Sequence, residues 1–429
     1  MNATPVATVA IPPLPYAARR REAATIDSGA RLSWAVLGYL GLLIAALTLM
    51  PFGFVVPRRP ALTDIWTWHD IAFNTALFVP IGFLGRRAWR PRGALGGLTV
   101  IGVAALASVA VEGAQLFLPQ RYPSLLDLAA NVGGAVAGVA LFDLVARRHR
   151  GHEESASDVL LLQLPLMGLL YLLVPLLWIT ARAAVDDTPR LALTGAVALM
   201  GASILGSVAR AMIPVTVARA WWTLPAAAAA WAAIGVLPAA DLDPRWTVAV
   251  IALAAGMAAW RGRLSAGAFV ERRYEVPALR ALTPWLAIFL VGSAIWPARA
   301  FRSTPLWHVG LPTAESGFAL MLPVIEAVVG SSILGYVIAE FHGRRELRFA
   351  TAWPRIAPWI GGCLVGSELL RSVLAYEGAS VLRLGLSLVA CVYGAWLYHL
   401  QREHVKVVAR RRRAAREGGP VAVVSSPAA

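Results

Sequence analysis

Apolar stretches of roughly 20 residues, long enough to cross a hydrocarbon core, recur along this chain from residue 33 to residue 400. No single soluble core can bury so many. The chain must use lipid as its solvent, and there only α-helices and closed barrels satisfy their own backbone. Barrel strands are shorter and alternate polar with apolar residues, and these runs do neither. Composition agrees: 58% of the 429 residues are apolar and 15% charged, against roughly 45–50% and 25% in soluble domains. The expected fold class is all-α, a polytopic helical membrane protein.

The runs place twelve spans, near 33–54, 70–86, 94–118, 124–146, 158–180, 190–212, 218–238, 246–262, 282–300, 318–340, 355–375 and 379–400. Basic residues accumulate in cytoplasmic loops, which tests that count. With the N-terminus inside, the cytoplasmic side receives Arg86, Arg87, Arg90 and Arg92, then Arg147, Arg148 and Arg150, then Arg210 and Arg219. It next receives Arg261, Arg263, Arg272, Arg273 and Arg280, then Arg344, Arg345 and Arg348, and finally Arg410 to Arg413. No intervening outer loop carries more than two Arg. Both termini are therefore expected inside, in a bacterial inner membrane. The chain divides into an N-terminal segment (1–32) expected to be disordered, a four-helix unit (33–148), a middle four-helix region (158–262), a third unit (282–400) and a basic tail (401–429).

The net charge of +15 lies in these loops rather than along one face, so it does not describe a nucleic-acid-binding stripe. Arg19, Arg20 and Arg21 precede the first span without a prompt small-residue cleavage site, which reads as an uncleaved anchor. Cys363 and Cys391 read as two small buried thiols. Small residues four apart, Gly93 with Gly97 and Gly134 with Gly138, signal close helix packing. His69 and His308 are external and too far apart in sequence to suggest metal ligation. No cofactor is expected.

A charge inside a span costs roughly 2.5–3.5 kcal/mol at the helix centre, so the polar residues of spans three and four need a reason. Glu112 and Gln115 share one helix face, and Asp127 and Asn131 share a face of the next helix. Ser124 is positioned to cap that second helix, with Asp127 in its first turn. Folding the hairpin about Arg121 sets Gln115 opposite Asp127 and Glu112 opposite Asn131, the latter roughly 10 Å below the outer surface. Arg121 can reach either carboxylate as a bidentate partner.

An acid and Gln on one helix, then Arg, then Asp and Asn opening a Gly-rich helix resembles the VanZ-like family. Span two agrees, with Asp70 and Asn74 followed by Phe78-Val79-Pro80-Ile81-Gly82-Phe83-Leu84, and so does Pro51-Phe52. The resemblance covers residues 33–148. It implies an envelope role, since the family includes a protein linked to teicoplanin resistance, but it fixes no reaction. The functional expectation is an outward-facing polar pocket of Asn74, Glu112, Gln115, Arg121, Asp127 and Asn131 that binds a lipid or glycan headgroup. The partner would be a membrane lipid, or a peptidoglycan precursor or other carrier-linked glycan, and not nucleic acid.

Residues 108–142 match residues 364–398 at nine of thirty-five positions without a gap, pairing Glu112 with Glu368 and Gly138 with Gly394. This suggests a degenerate second VanZ-like unit at 282–400 and a 4+4+4 architecture. At its apex the charges invert: Gln115 becomes Arg371, Arg121 becomes Glu377, Asp127 becomes Arg383 and Asn131 becomes Ser387. Two readings stay open for this unit, a pairing of Glu377 with Arg371 and Arg383 or the binding of an anion, and Glu326 is a further candidate partner. Motifs of soluble nucleotide-binding and hydrolytic enzymes are absent. Two rival functions stay open, a twelve-helix secondary transporter or flippase and a membrane-embedded acid/base transferase or hydrolase using Glu112 or Asp127.

Overall fold

The computed structural model describes residues 16–50, 52–56, 68–89, 94–119, 123–148, 166–212, 220–237, 239, 241–264, 275–297, 301–310, 318–346, 348–375 and 378–417. Twelve α-helices dominate these residues: α1 (Tyr16–Leu49), α2 (Trp68–Ala88), α3 (Ala94–Gln115), α4 (Leu125–Arg148), α5 (Met167–Asp186), α6 (Leu191–Met212), α7 (Ala220–Val236), α8 (Pro244–Leu264), α9 (Glu275–Ile295), α10 (Phe318–His342), α11 (Phe349–Leu374) and α12 (Val381–Glu417). Eight of them are long and apolar enough to cross a membrane by length and composition. The chain is a multi-pass helical membrane protein.

Three boundaries differ from the sequence expectation. α1 begins at Tyr16, inside the segment expected to be disordered, and α5 begins at Met167 rather than near 158. α12 runs on to Glu417 through the basic tail. The helix outlasts the apolar run because Arg, Glu and Lys are good helix formers.

Burial shows how lipid serves as solvent. On α3 the buried positions are Gly96, Gly97, Val100, Ala104 and Ser108, a narrow stripe at helical spacing. Leu95, Leu98, Leu106 and Val109 on the same helix are exposed, where an aqueous surface would carry charge. α5, α6 and α10 are by contrast buried along most of their length.

The helices pack as three consecutive quartets that share one pattern. In α1–α4, α5–α8 and α9–α12 alike, the first helix packs on the second and third, the second on the third and fourth, and the third on the fourth. Close backbone approach at glycine repeats with it. A Cβ at Gly82 on α2 would lie 2.1 Å from Ala135 O, and one at Gly335 on α10 would lie 2.0 Å from Cys391 O. In the reverse direction, Gly138 of α4 meets Val79 O and Gly394 of α12 meets Ser332 O. Ala135 and Cys391, like Gly138 and Gly394, are related by the same shift of 256 residues that aligns Glu112 with Glu368. The middle quartet joins the scheme where Gly206 of α6 faces Ala258 O of α8, at 2.8 Å from its would-be Cβ. That third member had no sequence signal of its own.

Between quartets, α9 packs on α6 and α10 on α5, so the first helix of each unit lies on the second of the other. α1 packs on α12. There Ser28 Oγ and His404 Nδ1 share a 3.0 Å hydrogen bond, Arg31 pairs with Glu403 at 2.6 Å, and Tyr393 donates to Ala35 O. These contacts put the start of α1 and the end of α12 on one side of the molecule. Cys391 is buried and its thiol donates to Ser331 O at 3.0 Å, whereas Cys363 is exposed rather than buried.

Candidate functional site

The end of α1–α4 that carries the α3–α4 hairpin is built by local rules first. Leu125 opens α4, and Ser124 caps it by accepting from Leu126 N at 3.1 Å, the usual way to satisfy an orphan amide. Ser124 N in turn donates to Glu112 Oε2 at 3.0 Å, which ties the end of α3 to the start of α4. The loop after α1 crosses over this hairpin, with Val55 N donating to Phe117 O at 2.7 Å.

The remaining polar residues find partners one by one. Asn74 on α2 donates to Asp127 Oδ1 at 2.7 Å. Gln115 donates to Thr48 O of α1 at 3.1 Å, and Asn131 donates to Ser108 Oγ of α3 at 2.9 Å. Asp127 therefore faces Asn74 rather than Gln115, and Asn131 sits against Ser108, one turn deeper than Glu112. Equal distance from the apex did not give the depth, since Glu112 meets Ser124 at the head of α4 and Asn131 lies a turn deeper, and helix rotation decided the partners. Thr48 and Ser108 were missed because neither carries a charge that marks it. Arg121 lies outside the described residues, as does Gly93, while Gly134 and Gly138 make the expected close contacts, on Thr75 O and Val79 O.

Glu112 and Asp127 are each about half buried, and each lies within electrostatic range of the other; Asp127 also feels Asp70. Among the described residues, both carboxylates are held by neutral donors. The buried Asn131 Oδ1, next on the same face of α4, has no hydrogen-bond partner.

Residues 21–146 match the VanZ/LLP1 family model. The match spans α1–α4 almost end to end, so the first quartet is VanZ-like. No curated protein and no solved structure matches the chain.

The third quartet repeats the framework of the first and inverts its chemistry. Ser380 N donates to Glu368 Oε2 at 3.0 Å, as Ser124 N does to Glu112. Arg302 N donates to Val373 O, as Val55 N does to Phe117 O. The crossing strap is here more extensive: Trp307–His308 pairs in parallel with Ala379–Ser380, and Ser380 Oγ donates to Gly310 O. Arg383, standing where the first quartet has Asp127, grips Glu368 with Nε and Nη2 at 2.9 Å each and also donates to Gly378 O. Arg371 Nε lies 3.8 Å from the same carboxylate.

Arg383, named with Arg371 as a partner for Glu377, turns inward to Glu368. Glu377 itself lies outside the described residues. Glu326 pairs with Arg190, at the head of α6, in a buried contact between quartets, and it also lies within electrostatic range of Arg371. The signal for Arg190 was its place directly before an apolar run. Glu368 with Arg383 is a charge neutralised from within the chain. Glu112 with Asp127 has no such cation among the described residues. No group of three or more His, Cys, Asp or Glu placed to hold a metal occurs among the described residues.

Proposed function

We propose that the VanZ-like quartet binds the headgroup of an envelope lipid or carrier-linked glycan at its outer mouth, through Glu112, Asp127, Asn74 and Asn131. The observation that carries this reading is the contrast between two copies of one framework. A buried carboxylate needs compensation, and in the third quartet Arg383 supplies it in bidentate form. At the same place in the first quartet stand two half-buried carboxylates whose described partners are a backbone amide and an Asn side chain. A hairpin lock would use the guanidinium solution that the chain already contains. Carboxylates left with acceptor capacity at a membrane surface suit hydroxyl or amine donors on a headgroup. Arg121, on the connecting loop, is the group of the chain suited to a phosphate on the same ligand.

Gln115 is assigned a supporting role, since its amide is engaged with the end of α1. The test is native mass spectrometry of the protein with co-extracted lipid, comparing wild type with an Arg121→Ala, Asp127→Ala double variant. A carrier lipid or glycolipid retained only by wild type is the expected result. Identical bulk lipid on both proteins, with the variant merely less stable, makes the cluster a structural lock and refutes the reading.

A further inference from the structure

At the opposite end of the third quartet lies a cavity of about 260 Å³ between the end of α10, its following turn and the late turns of α12. Its wall carries Arg344, Arg402 and Lys406 against one carboxylate, Glu340, together with Tyr398 and Gln401. Arg344 is spent on Glu340 at 3.1 Å, which leaves Arg402 and Lys406 as an excess of positive charge. Arg410, one turn further along α12, adds to the repulsion on Lys406. Like charges gathered around a concave space raise its affinity for an anion. The floor is rigid, because Gln401 Oε1 accepts from both Gly168 N and Tyr336 Oη.

Depth along α12 identifies the level. The candidate span Val381–Arg410 has 30 residues, about 45 Å at 1.5 Å per residue, against a hydrocarbon core of about 30 Å. With the outer hairpin at Val381, the turns carrying Arg402 and Lys406 stand at the headgroup layer on the other side. The size fits a phosphate with a small substituent; whole drug-sized ligands need roughly 300 Å³ or more.

We propose that this cavity is a binding site for a phosphate-bearing anion, independent of the outer mouth. Both an anionic phospholipid headgroup of that leaflet and a soluble phosphate offer the required chemistry. Lys406 is the cleanest position to test, because Arg344 holds Glu340 and Arg402 donates to Glu346 O.

The test uses the purified, delipidated full chain and two probes, phosphatidylglycerol and inorganic phosphate at ionic strength matched with chloride. Wild type is compared with Lys406→Gln, with the Arg402→Gln, Lys406→Gln pair, and with charge-keeping Lys406→Arg. Affinity should fall roughly fivefold for each cation removed and survive in Lys406→Arg. Loss of phosphatidylglycerol binding in the neutral variants supports the site with lipid as the source. Loss of phosphate binding alone supports it with a soluble ligand as the source. If the double variant fails to fold, the two single variants carry the comparison. Equal binding of both probes by wild type, Lys406→Arg and Lys406→Gln overturns the proposal.

Discussion

Replacing the same glutamate in the two outer quartets should have very different costs. Glu368 is 4% exposed and Arg383 1% exposed. Glu368 receives two hydrogen bonds from Arg383, one from Ser380 N, and the nearby charge of Arg371. Glu368→Gln removes the carboxylate that Arg383 grips and that Arg371 lies beside, and breaking a buried pair from one side costs about 3–5 kcal/mol. In the first quartet, Glu112→Gln keeps an oxygen able to accept from Ser124 N and strands no cation among the described residues. The lost component is the charge assistance of one hydrogen bond, about 1 kcal/mol or less. The assay is the fraction of protein that stays monodisperse by size exclusion after heating in detergent. Glu368→Gln should lose several degrees of midpoint, Glu112→Gln little or none, and Arg383→Met added to Glu368→Gln should recover part of the loss, since neighbouring effects are not additive. Equal shifts for Glu112→Gln and Glu368→Gln would refute the claim that only one of the two acids is neutralised internally.

Two further outcomes follow from the packing. Gly138→Val drives a side chain into Val79 O and should cost about 3 kcal/mol or more, read as loss of the monodisperse peak, whereas Gly133→Ala, with nothing within 4 Å of its Cβ, should be neutral or slightly stabilising. Arg190→Met leaves Glu326, 1% exposed, without its cation and should destabilise by about 3–5 kcal/mol; pairing it with Glu326→Gln should restore much of the heat resistance in the same assay.

Much of this architecture was legible in the sequence because lipid imposes a simple demand: every span must be apolar and helical. The twelve runs, the Gly134 and Gly138 contacts, and the pairing of Glu112 with Glu368 all rest on length and spacing. The partners of the polar residues were not legible, because rotation of a helix about its own axis decides them. That is why Asp127 meets Asn74 of α2, and why Arg383 turns inward to Glu368. The relation of the middle quartet to its neighbours escaped for a different reason. α5–α8 keep the packing and one glycine contact, Gly206 on Ala258 O, but carry none of the acids that made the other two units recognisable. Packing by small residues is written too weakly in an Ala-rich sequence to be read without coordinates.

The central claim is that the mouth of the VanZ-like quartet holds a headgroup where the third quartet holds its own arginine. The most direct measurement is cryo-electron microscopy of the chain in nanodiscs made from native envelope lipid. The account predicts density for a bound headgroup within hydrogen-bond distance of Glu112 and Asp127, with none beside Glu368. An empty mouth in which Arg121 folds onto Asp127, as Arg383 does onto Glu368, would contradict it.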